Sequence, residues 1–127
     1  MPELTVCSGA EASQTPYGEA FAWIDEHPGT GSALGLSKLI LSLWNDECCF
    51  SYRECVTSLD AVRSALALRV IVHFEAVGED QELVDIGHAV CDRYPRLWEQ
   101  GQAACQARNA LQDEWRREDI RAEDRHG

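Results

Sequence analysis

Residues 59–77, LDAVRSALALRVIVHFEAV, decide the fold. Leu59, Val62, Leu66, Leu68, Val70, Ile71, Val72, Phe74 and Val77 put apolar side chains on more than one side of a helix. The β-branched run Val70-Ile71-Val72 suits a strand when taken alone. The apolar pattern continues uninterrupted on both sides of that run, which favours helix. Ser58 stands where a cap is needed. A helix that is apolar on more than one side reads as the central element of a bundle, so this one is expected to be the most buried.

The flanking sequence reads as further helices. Thr15-Pro16 is a helix start, with a hydroxyl cap and Pro at the first helical position. Phe21, Trp23 and Ile24 come next, and His27-Pro28-Gly29 stops the helix. Ser32 is positioned to cap a second helix. Its Leu36, Leu39, Ile40, Leu43 and Trp44 fall on one face, which Leu34 and Leu41 widen, and Asn45-Asp46-Glu47 closes it. Residues 48–57 read as a loop with a short helical turn. Gly78-Glu79-Asp80 is a turn, with Asp80 capping a helix that points Leu83, Val84, Ile86, Val90 and Cys91 inward. Tyr94-Pro95 ends that helix, because a residue before Pro avoids the helical region, and Pro95 opens the last one.

In the last helix Leu97, Trp98, Ala104, Cys105, Leu111 and Trp115 form a heptad-like stripe. Gly101 weakens its first turns by about 1 kcal/mol relative to Ala. From Asp113 the chain is almost entirely charged, with Asp113 and Arg117 forming an i, i+4 pair, and this tail is expected to project and fray. The expected fold is all-α: a compact bundle of about five helices with a charged C-terminal helical tail. It divides into an irregular segment 1–14, a helical domain 15–112 and the tail 113–127.

The 127 residues are enough for one core without staples. The net charge is −11, from 22 acids against 11 bases, and Lys38 is the only lysine. Residues 1–52 carry seven acids and only Lys38 as a base. A field of this sign repels phosphate backbones and anionic membranes, so direct nucleic-acid and membrane binding are not expected. It suits a protein partner with a basic surface, including a nucleic-acid-binding complex. The bland alternative is that the charge serves solubility. No apolar run reaches eighteen residues, and Met1-Pro2-Glu3-Leu4 lacks the pattern of a secretory signal. Six cysteines without such a signal read as free thiols in a reducing, cytoplasmic setting.

Several constellations bear on chemistry. Cys48, Cys49, Cys55, His88 and Cys91 have the softness of zinc ligands, but no C-x2-C pair with a matching second pair exists, so no metal or cofactor is assigned. A cysteine nucleophile would need His27, His73 or His88 beside it, and no local signature supports one; His73 reads as a core histidine. No catalytic residue is assigned. Gly29-Thr30-Gly31-Ser32 lacks the P-loop lysine and reads as a turn and cap. Glu75, Glu79, Asp80, Glu82 and Asp85 cluster at a helix junction as a solvated face or as a row of charges mimicking phosphates. Trp115, with Arg116, Arg117 and Arg121, has the composition of an exposed binding anchor or a self-associating helix, so a homodimer is an alternative partner.

The stretch from Thr30-Gly31-Ser32 through Leu43-Trp44-Asn45 resembles an uncharacterised family of short helical proteins of bacterial plasmids and integrative elements. The resemblance extends more weakly through residues 59–77 and 94–98. It implies a mobile-element setting, where small acidic inhibitors of host defence, including anti-CRISPR proteins, are frequent. The combined expectation is a non-enzymatic, protein-binding inhibitor or accessory factor acting by steric block or nucleic-acid mimicry. The alternatives are a zinc-stabilised helical module and an immunity protein that neutralises a basic toxin. Glu75, Glu79, Asp80, Glu82, Asp85, Trp115, Arg116 and Arg117 are the expected partner-binding residues.

Overall fold

The computed structural model describes residues 14–126, so the segment expected to be irregular at 1–14 lies almost wholly outside the described residues. The fold is all-α. Six helices are described, in order α1 (Pro16–Glu26), α2 (Gly31–Trp44), α3 (Tyr52–Val56), α4 (Ala61–Val77), α5 (Gln81–Arg93) and α6 (Pro95–His126). The one beyond the expected five is α3, the short turn foreseen within residues 48–57. A reciprocal capping box fixes it, Ser51 Oγ accepting from Glu54 N–H while Glu54 accepts from Ser51 N–H. No helix among the described residues is long and apolar enough to cross a membrane.

The chain itself supplies the helix starts. Thr15 Oγ1 accepts from Gly18 N–H at 3.0 Å, with Pro16 at the first position of α1. Asp80 Oδ1 accepts from Leu83 N–H at 2.9 Å and starts α5. Two expected caps are displaced by two residues. Thr30, not Ser32, caps α2, because Ser32 Oγ instead accepts from Trp23 Nε1 at 2.9 Å. Asp60, not Ser58, caps α4, its Oδ1 accepting from Arg63 N–H at 2.8 Å.

The central helix is α2, not α4. It packs on α1, α3 and α5 and also touches α4 and α6. It buries Ala33, Gly35, Leu36, Ser37, Leu39, Ile40, Leu41 and Trp44. Each large aliphatic side chain buried there contributes about 1.5–3 kcal/mol. Gly35 lets the backbone of α3 approach, and the buried Ser37 satisfies its hydroxyl by donating to Ala33 O at 2.7 Å. By contrast α4 buries only Leu66, Ala67 and Val70, while Val62, Leu68 and Val72 are 62%, 54% and 67% exposed. It is a flanking helix, packed on α1 and α2 along one side. Its second apolar face has no cover among the described residues, which is why reading that face as buried fails.

The last helix runs unbroken from Pro95 to His126, about 48 Å long at 1.5 Å per residue. Leu97, Trp98, Gly101 and Cys105 hold it to the body, and residues 106–125 are exposed on every side.

Candidate functional site

The C-terminal ends of α2 and α4 lie side by side, and an open groove runs between them. Leu43, Trp44 and Phe74 form its apolar wall, and Asp46, Glu47 and Glu79 bring three exposed carboxylates to it. None of the ion pairs among the described residues involves these three acids.

Local chemistry places each of them. Asn45 leaves α2 in an extended conformation, and its Oδ1 accepts from Glu47 N–H at 2.9 Å, an Asx turn that presents Asp46 and Glu47 outward. Cys105 on α6 ties the same loop down by donating Sγ–H to Asp46 O at 3.4 Å. Glu79 comes directly after Gly78, whose φ of 69° is open to glycine and strained for other residues. Gly78 N–H donates to Phe74 O at 2.7 Å, ending α4 and turning the chain back towards the groove. An acidic rim over an aromatic and aliphatic floor matches an arginine or lysine side chain, which has an apolar stem and a cationic head.

The structure divides the acidic row read at the α4–α5 junction. Glu75, Glu79 and Asp85 are exposed, with Asp85 accepting from Gln81 Nε2 at 2.9 Å. Asp80 and Glu82 fold inward. Asp80 caps α5, and Glu82 Oε1 accepts from Thr15 Oγ1 at 2.6 Å across the start of α1. His73 lies beside them, its ring edge-on to Tyr17 with centroids 4.6 Å apart. Tyr17, fully buried, donates its hydroxyl to Gly78 O at 2.8 Å. Burial, together with the charges of Asp80 and Glu82, pushes the Tyr17 phenol up to about 12.

On α6, Trp115 is 54% exposed and Leu111 44% exposed. Arg116 pairs with Asp113 at 3.0 Å as an i, i+3 pair, in place of the expected Asp113–Arg117 pair. Arg117 is exposed. Trp115, Arg116 and Arg117 therefore stand on the projecting half of α6.

The cysteine-rich zinc set does not come together: Cys48, Cys49, Cys55, His88 and Cys91 offer no three ligand atoms within 4.8 Å of one another among the described residues. His88 packs its ring against Trp44 at 4.9 Å. Cys48 and Cys55 are buried core residues, and burial pushes both thiols up to about 11. The three ligand-type groups that do meet are His73, Asp80 and Glu82.

Sequence reasoning passed over Asp46, Glu47 and Phe74 as site residues because Asn45-Asp46-Glu47 reads as an ordinary helix end. The usable signal was the Asn two residues ahead of Glu47, an Asx-turn pattern that displays its next two side chains. No protein-family model, curated protein or solved structure matches the chain.

Proposed function

We propose that this chain is a non-enzymatic protein-binding inhibitor or accessory factor that captures a basic segment of another protein. The observation that carries this reading is the groove between α2 and α4, where Asp46, Glu47 and Glu79 stand outside every ion pair of the described residues, over Leu43 and Phe74. A net charge of −11 adds long-range attraction for a basic partner. The projecting half of α6, with Leu111 and Trp115 exposed on it, supplies a second contact of the apolar, anchor-like kind. In its most specific form the protein is a mobile-element anti-defence factor, anti-CRISPR-like, that occupies the basic surface of a nucleic-acid-binding complex by steric block or charge mimicry.

The test compares the full chain with the triple variant Asp46→Lys, Glu47→Lys, Glu79→Lys in capture from nuclease-treated bacterial lysate. All three positions are exposed, so the fold tolerates the change. Like charges set against a basic surface cost several kcal/mol, well over tenfold in affinity. A stoichiometric partner that is released by salt and lost with the triple variant supports the reading. A partner held equally by the triple variant refutes the groove, and no stoichiometric partner at low salt refutes the binding function.

A further inference from the structure

The turn joining α4 to α5 holds a second constellation, and it does not depend on the groove. His73 lies near the end of α4, Asp80 is the cap of α5 and Glu82 its second residue. One ligand atom from each lies within 4.8 Å of the other two, and all three residues are half-buried. His73 Nε2 is buried and has no hydrogen-bond partner among the described residues. Folded proteins seldom leave such a nitrogen orphaned without a use for it.

The carboxylates carry their own signal. Asp80 spends Oδ1 on Leu83 N–H and Glu82 spends Oε1 on Thr15 Oγ1–H, so each keeps a second oxygen for another ligand. Neither takes part in an ion pair among the described residues. Helix capping accounts for one oxygen of Asp80 and the Thr15 hydroxyl for one of Glu82, but these contacts leave the two adjacent negative charges and the orphaned imidazole nitrogen unexplained.

The geometry points to a metal site: His73, Asp80 and Glu82 bind one divalent first-row cation, with zinc as the reference ion. One imidazole nitrogen and two carboxylates form a borderline donor set, which suits zinc and its neighbours better than the all-oxygen preference of calcium or magnesium. A 2+ ion cancels the two carboxylate charges. Bonds of about 2.0–2.1 Å place tetrahedral ligands about 3.3 Å apart, so from separations within 4.8 Å the cluster closes by no more than about 1.5 Å around the ion. The surrounding residues already orient the ligands as outer partners do in metal sites. Thr15 holds Glu82, Leu83 N–H holds Asp80, Tyr17 flanks the imidazole edge-on, and the Tyr17 hydroxyl pins the turn at Gly78. Three protein ligands leave a coordination position open to water or to a ligand from a partner.

The test uses the full chain, metal-free and kept reduced with a phosphine. Zinc is titrated in competition with a chromophoric chelator, and cobalt is then bound as a spectroscopic probe. One equivalent of zinc is expected, and cobalt should give visible ligand-field bands without a thiolate charge-transfer band. His73→Ala should weaken zinc by at least about tenfold, since even outer partners of metal ligands are worth 10–100-fold. Asp80→Ser keeps a capping oxygen while removing the carboxylate, and Glu82→Gln keeps an acceptor for Thr15. Both should lose zinc affinity with unchanged helical circular dichroism, and Cys48→Ala with Cys49→Ala should leave zinc affinity unchanged. Failure to bind one equivalent, binding that survives His73→Ala, or a thiolate band with cobalt each overturns the site.

Discussion

Replacing Gly35 with alanine is expected to destabilise the protein, although alanine is the better helix former. Gly35 is buried in the middle of α2, the helix that touches all the others. A Cβ built on it falls on the backbone carbonyl oxygen of Cys55, well under the 3.0 Å that real Cβ atoms respect, and 3.3 Å from Leu59 Cδ2. The obstruction is main chain, so no rotamer change relieves it; α3 must slide or α2 must bend. Intrinsic helix propensity favours alanine by about 1 kcal/mol. Overpacking a close contact costs about 1–3 kcal/mol, and a rigid backbone obstacle puts this case at the upper end. The net expectation is a loss of about 1–2 kcal/mol, which for a domain of this size lowers Tm by about 4–8 °C. Thermal and urea unfolding monitored by far-UV circular dichroism read it directly. A Gly35→Ala variant with equal or higher Tm would show that α2 and α3 do not approach through this residue.

Four further outcomes rest on contacts of the same kind. Asp80→Ala should lose about 1 kcal/mol in urea unfolding through the missing cap of α5, while Asp80→Ser should stay near the wild type. The Arg69 guanidinium, hydrogen-bonded to Glu19, holds that carboxyl below its usual value of 4.5, so its stabilisation is present above that value and lost as pH falls through the lowered one. Glu19→Gln should accordingly flatten the acid limb of the stability profile. Burial holds the Cys48 and Cys55 thiols at about 11 rather than 9.0, and the Tyr17 phenol at about 12 rather than 10.0. The folded state thus keeps protons that the unfolded chain releases, so stability should fall as pH rises through 9–11 and on to 12, with Tyr17→Phe removing the last part of the slope. A chain ending at residue 112 should melt within about 2 °C of the full chain, because residues 113–125 are exposed throughout, and a larger drop would mean that the tail packs on the body.

Local chemistry was largely legible in the sequence. Thr15-Pro16, Asp80 and Tyr94-Pro95 mark helix ends through groups a few residues apart, and the structure places those ends where they stand. Thr30 and Asp60 show the limit of that reading. Each competes with a nearby serine, and the choice depends on what the serine meets elsewhere, as Ser32 meets Trp23. The acidic row at the α4–α5 junction was legible as a composition but not as a surface. Whether Asp80 or Glu82 faces water depends on α1, some sixty residues earlier, coming to rest against them through Thr15.

The misread core has one physical cause, and it concerns the mid-helix glycines. Periodicity reports how many sides of a helix are apolar; it does not report how close another backbone comes. Residues 59–77 have the most apolar surface and so read as central, yet nothing among the described residues covers Val62, Leu68 and Val72. The helix that is central, α2, is marked instead by small residues. Gly35 lies against the backbone of α3. Gly87 on α5 lies against the indole of Trp44, and Gly101 on α6 against Cys48 and Phe50, with Cys49 N–H donating to Gly101 O at 3.0 Å. Read by propensity, each glycine is a weakness worth about 1 kcal/mol. Read by sterics, each is a place where a neighbouring element comes too close for a methyl group, and the three together trace how α3 and α5 gather on α2 and how α6 seats on the loop that follows it. Gly101 therefore joins Leu97, Trp98 and Cys105 in anchoring the helix that carries Trp115 away from the body, so a residue that reads as a weakness of the last helix is one of those that seat it.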